Sequence, residues 1–161
     1  MHTRNLQPAD SRWVSDLVRE RWNGPFVVTK GKKHDTRCLP GIVACNDDRP
    51  VGLLLYADSG SEIEIVTLDA LQQRQGVGRL SLEAISDHAS GRAVRRLWLV
   101  TTNDNVGAIA FYTACGFRLA AVHLDAVTRA RELKPGIPPV GTGGVAIRDE
   151  LEFEKICPAS C

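Results

Sequence analysis

The sequence lacks the features that mark membrane, secreted and metal-binding proteins. Its longest apolar runs are far too short to span a bilayer, and Met1 to Trp13 contains no apolar core of a secretory signal. The five cysteines are odd in number, and although Cys157 and Cys161 stand close together, no second Cys or His pair accompanies them. We therefore expect a water-soluble, cytoplasmic protein that binds neither a metal nor a membrane.

An excess of charge of either sign is also missing. Twenty Lys and Arg residues stand against nineteen Asp and Glu residues, which gives a formal net charge of +1. Such a balance produces no general attraction to nucleic acids, so we expect no nucleic-acid partner. The one basic run, Lys30 to His34, follows a strand-like segment and predicts a solvent-exposed loop.

The composition of the chain is typical of one folded domain. It has 161 residues, of which 43% are hydrophobic and 24% are charged. This length is sufficient to bury a core without disulfides or metals. No internal repeat or linker divides the sequence, so we expect a single domain over residues 1–161.

Hydrophobic periodicity predicts helices and strands along the whole chain. The predicted helices run from behind Pro8 to Trp22, from Val77 to about Ser90 and from about Val106 to Ala114. The predicted strands are Thr3 to Leu6, Phe26 to Thr29, Gly41 to Cys45, Pro50 to Ala57, Ser61 to Leu68, Arg96 to Thr101, Phe117 to His123 and Leu151 to Ile156. A long connection, residues 126–149, precedes the last strand, and long connections inside compact domains are usually functional.

A glycine-containing turn lies where a predicted strand ends and a helix begins. Unpaired backbone N–H groups at such a helix start form a favourable site for phosphate. Gly76 and Gly78 lack the side chains that would keep a pyrophosphate away from the backbone, and Arg74 and Arg79 could add charged contacts. The residues concerned are Gln73, Arg74, Gln75, Gly76, Val77, Gly78 and Arg79.

Two other nucleotide-binding motifs fit this turn less well. A dinucleotide-binding βαβ unit needs a third glycine, but the chain continues as Arg79-Leu80-Ser81. A P-loop needs a Gly-Lys-Ser/Thr ending, which is missing here and also at Gly141 to Gly144. We interpret Gly141 to Gly144 as a flexible surface loop.

A second motif makes the cofactor assignment more specific. It follows a strand after the helix of the first motif, and it reads Asn105-Val106-Gly107-Ala108-Ile109-Ala110-Phe111-Tyr112-Thr113-Ala114-Cys115-Gly116-Phe117. This segment resembles the second cofactor motif of the GNAT superfamily of N-acetyltransferases. The turn from Gln73 to Gly78 resembles the pyrophosphate loop of that family, in the same order and spacing. The resemblance covers roughly Glu62 to Phe117.

The resemblance implies a fold and a cofactor. The fold would be of the α/β (α+β) class, with a mixed, splayed β-sheet flanked by helices on both faces. Acetyl-CoA would be the co-substrate, its pantetheine arm lying between two diverging strands, Ser61 to Leu68 and Arg96 to Thr101. Leu68 would offer backbone contacts to the pantetheine, and Val66 would lie near the thioester.

Transfer to an amine also requires a proton acceptor, because an amine attacks a thioester only as the free base. Glu62 stands eleven residues before Gln73, the spacing at which histone-acetylating members of the family carry a general-base glutamate. Glu62 and Glu64 project from the same strand face, and either could accept the proton through water. The alternative is that they form the solvated face of the strand.

Two residues of the second motif have candidate roles. Tyr112 matches the tyrosine that in many family members protonates the departing thiolate, although packing within an aromatic helical stripe is the alternative. Asn105 could contact the cofactor or cap the helix that it precedes. His34, His88 and His123 are isolated, and we assign none of them a role.

We therefore expect an N-acetyltransferase that moves the acetyl group directly from acetyl-CoA to a primary amine. A small-molecule acceptor is favoured, because residues 126–149 could cover a small pocket. One alternative is a protein or peptide acceptor, and another is a non-catalytic acyl-CoA-binding or sensing module. A homodimer is compatible with the sequence but cannot be derived from it.

Overall fold

The computed structural model describes residues 1–157, so Cys161 of the C-terminal cysteine pair lies outside the described residues. The helices are Ser11–Trp22 (α1), Val77–Ala89 (α2), Val106–Ala114 (α3) and Ala126–Leu133 (α4). The strands are His2–Asn5 (β1), Phe26–Thr29 (β2), Lys32–Asp35 (β3), Gly41–Asn46 (β4), Arg49–Asp58 (β5), Glu62–Ala70 (β6), Arg96–Thr102 (β7), Arg118–His123 (β8) and Glu150–Ile156 (β9). Most boundaries agree with the predicted ones to within one or two residues.

A seven-stranded mixed sheet forms the centre of the molecule. Its strand order is β1-β4-β5-β6-β7-β9-β8. All neighbouring pairs are antiparallel except β6 and β7, which are parallel and are connected through α2. The last strand, β9, therefore inserts between β7 and the edge strand β8, and β2 and β3 form a separate two-stranded sheet.

Helices cover both faces of this sheet because its central strands bury side chains on both sides. On one face, α2 and α3 pack over a core that includes Ile63, Leu97 and Phe153. On the other face, α1 packs over Val43 and Leu53. This arrangement confirms the predicted mixed sheet with helices on both faces.

The two parallel strands separate soon after they begin. Their pairing runs only from Glu62 opposite Arg96 to Glu64 opposite Trp98. On its other edge, β6 shifts register against β5 between Ile65 and Thr67, which leaves Val66 as an extra residue. An inserted residue bends a strand and increases its twist. The bulge therefore accompanies the divergence of β6 from β7, as the splayed sheet requires.

The prediction of an exposed loop over Lys30 to His34 was right about the exposure of Lys30 to Lys33 but wrong about the loop and about His34. Lys32–Asp35 forms β3 and pairs with β2 in an antiparallel hairpin. His34 is only 4% exposed, because the hairpin folds over the sheet. Its ring nitrogen Nε2 lies 2.9 Å from Thr29 Oγ1, so the buried imidazole has a hydrogen-bonding partner.

The connection before β9 is also more ordered than expected, since it contains α4. Arg131 holds it together by donating to the carbonyl oxygens of Pro138 and Ile147 at 2.7 and 2.6 Å. The run Gly141 to Gly144 does not behave as a free loop, because Thr142 N–H donates to Asp104 Oδ2 at 3.1 Å. Within residues 1–157, none of the helices is long and apolar enough to cross a membrane.

Candidate active site

A cavity of about 320 Å³, which we call the slot, lies where β6 and β7 diverge. Both strands and the start of α3 contribute to its wall. Beyond Glu64 and Trp98 the described strands no longer pair with each other, so their facing backbone groups are available to a ligand. Four of the residues singled out in the sequence line this slot, namely Val66, Leu68, Asn105 and Tyr112.

The predicted phosphate turn precedes α2. Gly76 has a φ of 81° and occupies the N-cap position, where no side chain within the described chain caps the helix. The first N–H groups of α2 are therefore free to bind an anion. A side chain at Gly76 would project into empty space rather than into protein, since a Cβ there would have no neighbour within 4 Å. The exposed residues of the turn are Gln73, Arg74, Gln75, Gly76 and Arg79.

The other two residues of this motif pack against protein. A Cβ on Gly78 would come within 2.9 Å of Phe111 Cζ, so the absence of a side chain allows α3 to approach α2 closely. Val77 is only 1% exposed and belongs to the core. The second glycine is thus explained by helix packing, whereas the sequence suggested that it admits the phosphate.

Tyr112 packs with its ring edge-on to Phe111 and Phe117, at centroid distances of 5.2 and 5.8 Å. Among the described residues, none forms a hydrogen bond with its hydroxyl, and the side chain lines the slot. Burial raises the pKa of Tyr112, and the negative charge of Asp69 raises it further. The phenol therefore retains its proton at neutral pH and can act as a donor.

Asn105 has a clear structural role at the start of α3. Its side-chain Oδ1 accepts a hydrogen bond from Ala108 N–H at 3.1 Å. This is the contact of a helix N-cap. Asn105 also lines the slot, so the cap places its amide beside the expected ligand.

Glu62 and Glu64 lie on one face of β6, but both carboxylates already have partners. Glu62 Oε2 lies 3.1 Å from Arg96 Nε, at the end where the two strands are still paired. Glu64 is 5% exposed, and its carboxylate accepts a hydrogen bond from Thr29 and lies 3.3 Å from His34 Nε2. Glu64 thus anchors the β2-β3 hairpin to the sheet.

Two residues that line the slot, Trp22 and Asp69, were not identified as site residues from the sequence. Trp22 Nε1 donates to Asp69 Oδ2 at 2.9 Å, which joins the end of α1 to the end of β6. Burial raises the pKa of Asp69, while the hydrogen bond from Trp22 opposes this shift. Trp22 could be recognised in the sequence only as the last residue of an apolar helical stripe.

A second cavity of about 350 Å³, which we call the side cavity, adjoins the slot. The two share Arg21 and Trp22 in their walls. The end of α1, strand β2, helix α4 and the turn after α4 enclose the side cavity. Lys134 closes one side, because its ammonium donates to the carbonyl oxygens of Trp22 and Phe26.

A larger cavity, of about 750 Å³, lies elsewhere in the molecule. It is lined by residues at the start of α1, such as Ser11 and Arg12, and by residues before β4, such as Leu39. Trp22 lies at the opposite end of α1, roughly 17 Å away at 1.5 Å per helical residue. This larger cavity is therefore separate from the slot, and the two have no lining residue in common.

The slot and the turn suit a ligand with an extended amide-containing arm and a pyrophosphate. Unpaired strand edges can bind amides, and the uncapped start of α2 can bind phosphate oxygens. Among residues 1–157, no group of three or more His, Cys, Asp or Glu side chains is arranged to hold a metal ion. Coenzyme A contains both an amide-containing arm and a pyrophosphate.

Comparisons with known proteins agree with this geometry. The sequence model of the acetyltransferase (GNAT) family matches residues 7–117. The uncharacterized protein YdhI of Bacillus subtilis (strain 168) is 36% identical over 144 residues, which cover 89% of this chain and 90% of that protein.

Solved structures show the same fold. The ribosomal-protein-S18-alanine N-acetyltransferase from Escherichia coli superposes with a TM-score of 0.69 at 16% identity, covering 99% of this chain and 96% of that chain. An aminoglycoside 6'-N-acetyltransferase complexed with coenzyme A gives a TM-score of 0.69 at 12% identity, covering 100% of this chain and 99% of that chain. From the family match and the relative together, the chain belongs to the GNAT family and is an acetyl-CoA-dependent N-acetyltransferase.

Proposed function

We propose that this enzyme acetylates a primary amine of a small molecule that binds in the side cavity. The observation that supports this proposal is the position of the side cavity, which shares Arg21 and Trp22 with the slot. An amine bound there would reach the slot without crossing the protein. Its volume of about 350 Å³ falls at the lower end of the range for small-molecule sites.

The cofactor-binding residues of this proposal are those that line the slot and the phosphate turn. The start of α2, with Gln73 to Gly78 and Arg79, would hold the pyrophosphate. The edge of β6 from Val66 to Leu68 would hold the amide-containing arm, and Asn105 would border it. When bound, acetyl-CoA supplies an activated acetyl thioester.

Two kinds of proton transfer must accompany the reaction. Tyr112 is proposed to donate a proton to the departing sulfur, because its buried phenol stays protonated and lines the slot. Glu62 and Glu64 are the proton acceptors suggested by the sequence. Each would have to act through water, since each carboxylate is held by neighbouring side chains.

A protein or peptide amine is the second candidate acceptor. It is the acceptor named for the ribosomal-protein-S18-alanine N-acetyltransferase, but the aminoglycoside 6'-N-acetyltransferase has the same fold, so the fold alone does not choose between the acceptors. A peptide would need an extended groove beside the slot. The hairpin and α4 instead enclose a short cavity, so the small-molecule proposal has the stronger structural support.

The experiment that distinguishes these acceptors is a transfer assay with two matched panels. One panel contains small primary amines, and the other contains short peptides with free N-termini or lysine side chains. We expect acetylated small amines, identified by mass spectrometry, with equal amounts of released coenzyme A thiol. Acetylation of peptides alone would reject the small-molecule proposal, and binding of acetyl-CoA with neither thiol release nor an acetylated amine would favour the non-catalytic binding module.

A further inference from the structure

Glu150, the first residue of β9, is the only carboxylate among the described residues that line the side cavity. It is 3% exposed, and strand alternation alone would have placed it on a solvated face. The β2-β3 hairpin causes its burial, because Lys30 in the hairpin turn packs against it. Lys30 N–H donates to Glu150 Oε2 at 2.9 Å.

The second oxygen of Glu150 has no such partner. None of the described residues donates a hydrogen bond to Oε1, and no salt bridge to Glu150 is formed within residues 1–157. Within residues 1–157, the fully enclosed side-chain polar atoms without a hydrogen bond belong to Thr67, Gln72 and Arg96, and the Arg96 Nε forms only its ion pair with Glu62. Oε1 is therefore not sealed in protein but open to the cavity that the residue lines.

Glu150 also lies close to the slot. It is directly opposite Thr102 on β7, and Val100, two residues earlier on the same face, opposes Glu152 and lines the slot. Diagonal neighbours across antiparallel strands are typically about 7–8 Å apart. A nitrogen atom at the junction of the two cavities could therefore reach Glu150 directly or through one water molecule.

The rest of the side cavity is mostly apolar. Its wall includes Val27, Val28, Val127, Ala130, Ile137 and Pro138. Two cationic side chains also line the cavity, but they leave its wall mostly apolar. The Lys134 ammonium is held by backbone carbonyls, and Arg21 is exposed. A ligand that matches these walls is compact and apolar, with one charged group directed towards Glu150.

We infer that Glu150 binds the ammonium group of the acceptor and accepts its proton, and that the acceptor is a primary amine on a compact apolar group. This inference rests on the proposed function. The ammonium nitrogen loses two protons when it becomes an amide. The first passes to Glu150 Oε1 and then to solvent. As the N–C bond forms and the C–S bond breaks, Tyr112 gives its proton to the sulfur, and the second nitrogen proton restores the phenol through solvent.

The electrostatic surroundings suit this role. Burial raises the pKa of Glu150 and the nearby Glu64 raises it too, whereas the Lys30 N–H, His123 and the Lys30 ammonium lower it. Other charged groups that face this region are Glu152, Arg21 and Lys134. A carboxylate with a raised pKa is a stronger proton acceptor, provided that the pH is high enough to ionise it.

The test compares the parent with Glu150→Gln and a matched control, Glu154→Gln. Glu154 lies on the same strand and face but is paired with Arg96 and Arg118, and it does not line the side cavity. With 2-phenylethylamine as acceptor at neutral pH, kcat/KM of Glu150→Gln should fall by about 100-fold, the scale of general base catalysis. The deficit should shrink at alkaline pH, where free amine is already present. The Glu154→Gln variant should keep the parent pH profile.

Stability provides a second readout that a purely structural role would not give. Since folding buries the Glu150 charge, Glu150→Gln should unfold at the same temperature as the parent or above it, and acetyl-CoA should stabilise both equally. A Glu150→Gln variant that does not fold would give Glu150 a structural role and would contradict its assignment as a proton acceptor. Ile137→Trp, which fills the apolar end, should raise KM for the amine without changing acetyl-CoA binding, and an unchanged KM contradicts the assigned pocket.

Other outcomes separate this inference from the proposed function. A parent that prefers spermidine or glycine to 2-phenylethylamine as acceptor contradicts the apolar acceptor. A Glu150→Gln variant with the parent pH profile contradicts the role of Glu150, even though the enzyme acetylates small amines. A parent that acetylates only peptides overturns the small-molecule function, and the Glu150→Gln pH profile measured with that peptide still decides the role of Glu150.

Discussion

Replacing Gly76 with leucine tests whether the turn before α2 binds the pyrophosphate. Gly76 has a φ of 81°, so leucine there costs about 1–2 kcal/mol of folding free energy, the cost of left-handed backbone for a residue with a Cβ. No described atom lies within 4 Å of the added Cβ, so no steric clash adds to this cost. The new side chain would instead occupy the space that the pyrophosphate must enter.

Gly91, after α2, is a matched control. Its φ is 74°, and a Cβ there would also meet no atom within 4 Å. Gly91→Leu should therefore lose the same stability, about 2–8 °C in Tm for a domain of this size. Only Gly76→Leu should also weaken acetyl-CoA binding, by at least about tenfold or 1.4 kcal/mol.

The assay combines thermal unfolding with calorimetric titration of acetyl-CoA. In the parent and Gly91→Leu, saturating acetyl-CoA should raise Tm, whereas NADH and ATP should not. In Gly76→Leu the shift should be much smaller at the same ligand concentration. Equal acetyl-CoA affinity in the two folded variants would show that the pyrophosphate binds elsewhere.

Three further changes test individual side chains. Tyr112→Phe keeps the ring packing but removes the phenol, so kcat should fall about tenfold or more while acetyl-CoA affinity stays constant, and unchanged turnover would leave Tyr112 with packing alone. Glu62→Gln and Glu64→Gln should reduce the rate at acidic more than at alkaline pH if either group accepts the proton, with the larger loss at Glu62; parent pH profiles in both would remove them from the mechanism. Asp69→Asn should be at least as stable as the parent at neutral pH. Because burial raises the pKa of Asp69, the stability that this residue contributes is present at low pH and is lost as the pH rises through that pKa. A lower Tm for Asp69→Asn at neutral pH, measured by thermal unfolding, would contradict this account of its burial.

Local sequence signals were sufficient for the elements that form the slot. The alternation of Glu62, Ile63, Glu64 and Ile65 identified β6, because the two isoleucines face the core. Gly76 identified the start of α2, since its backbone needs a conformation that favours glycine. These features depend on neighbouring residues and can therefore be recognised without the fold.

Features that depend on distant partners could not be predicted in this way. His34 appeared as part of a polar loop, but it is buried through contacts with Thr29 and with Glu64, thirty residues away in the chain. Helix α4 has only the short buried stripe of Ala126, Val127 and Ala130, and Pro135 follows it closely. Such a segment resembles a loop until its packing against β2 is known.

The candidate carboxylates illustrate the same limit. Alternation correctly placed Glu62 and Glu64 on one strand face, but it could not show that their carboxylates are held by Arg96 and by Thr29. Glu150 belongs to an equally regular alternation in β9 and was not recognised, because the hairpin that buries it lies about 120 residues earlier. Its chemical environment is created entirely by tertiary structure.

The most direct test of the account is an initial-rate study with acetyl-CoA and an accepted amine varied together, with the product identified by mass spectrometry. Direct transfer in a ternary complex predicts intersecting double-reciprocal lines and an acetyl group on the amine nitrogen, with one coenzyme A thiol released per product. Parallel lines with an acetylated enzyme intermediate would indicate covalent catalysis instead. That result, or thiol release without an acetylated amine, would contradict direct transfer from the slot.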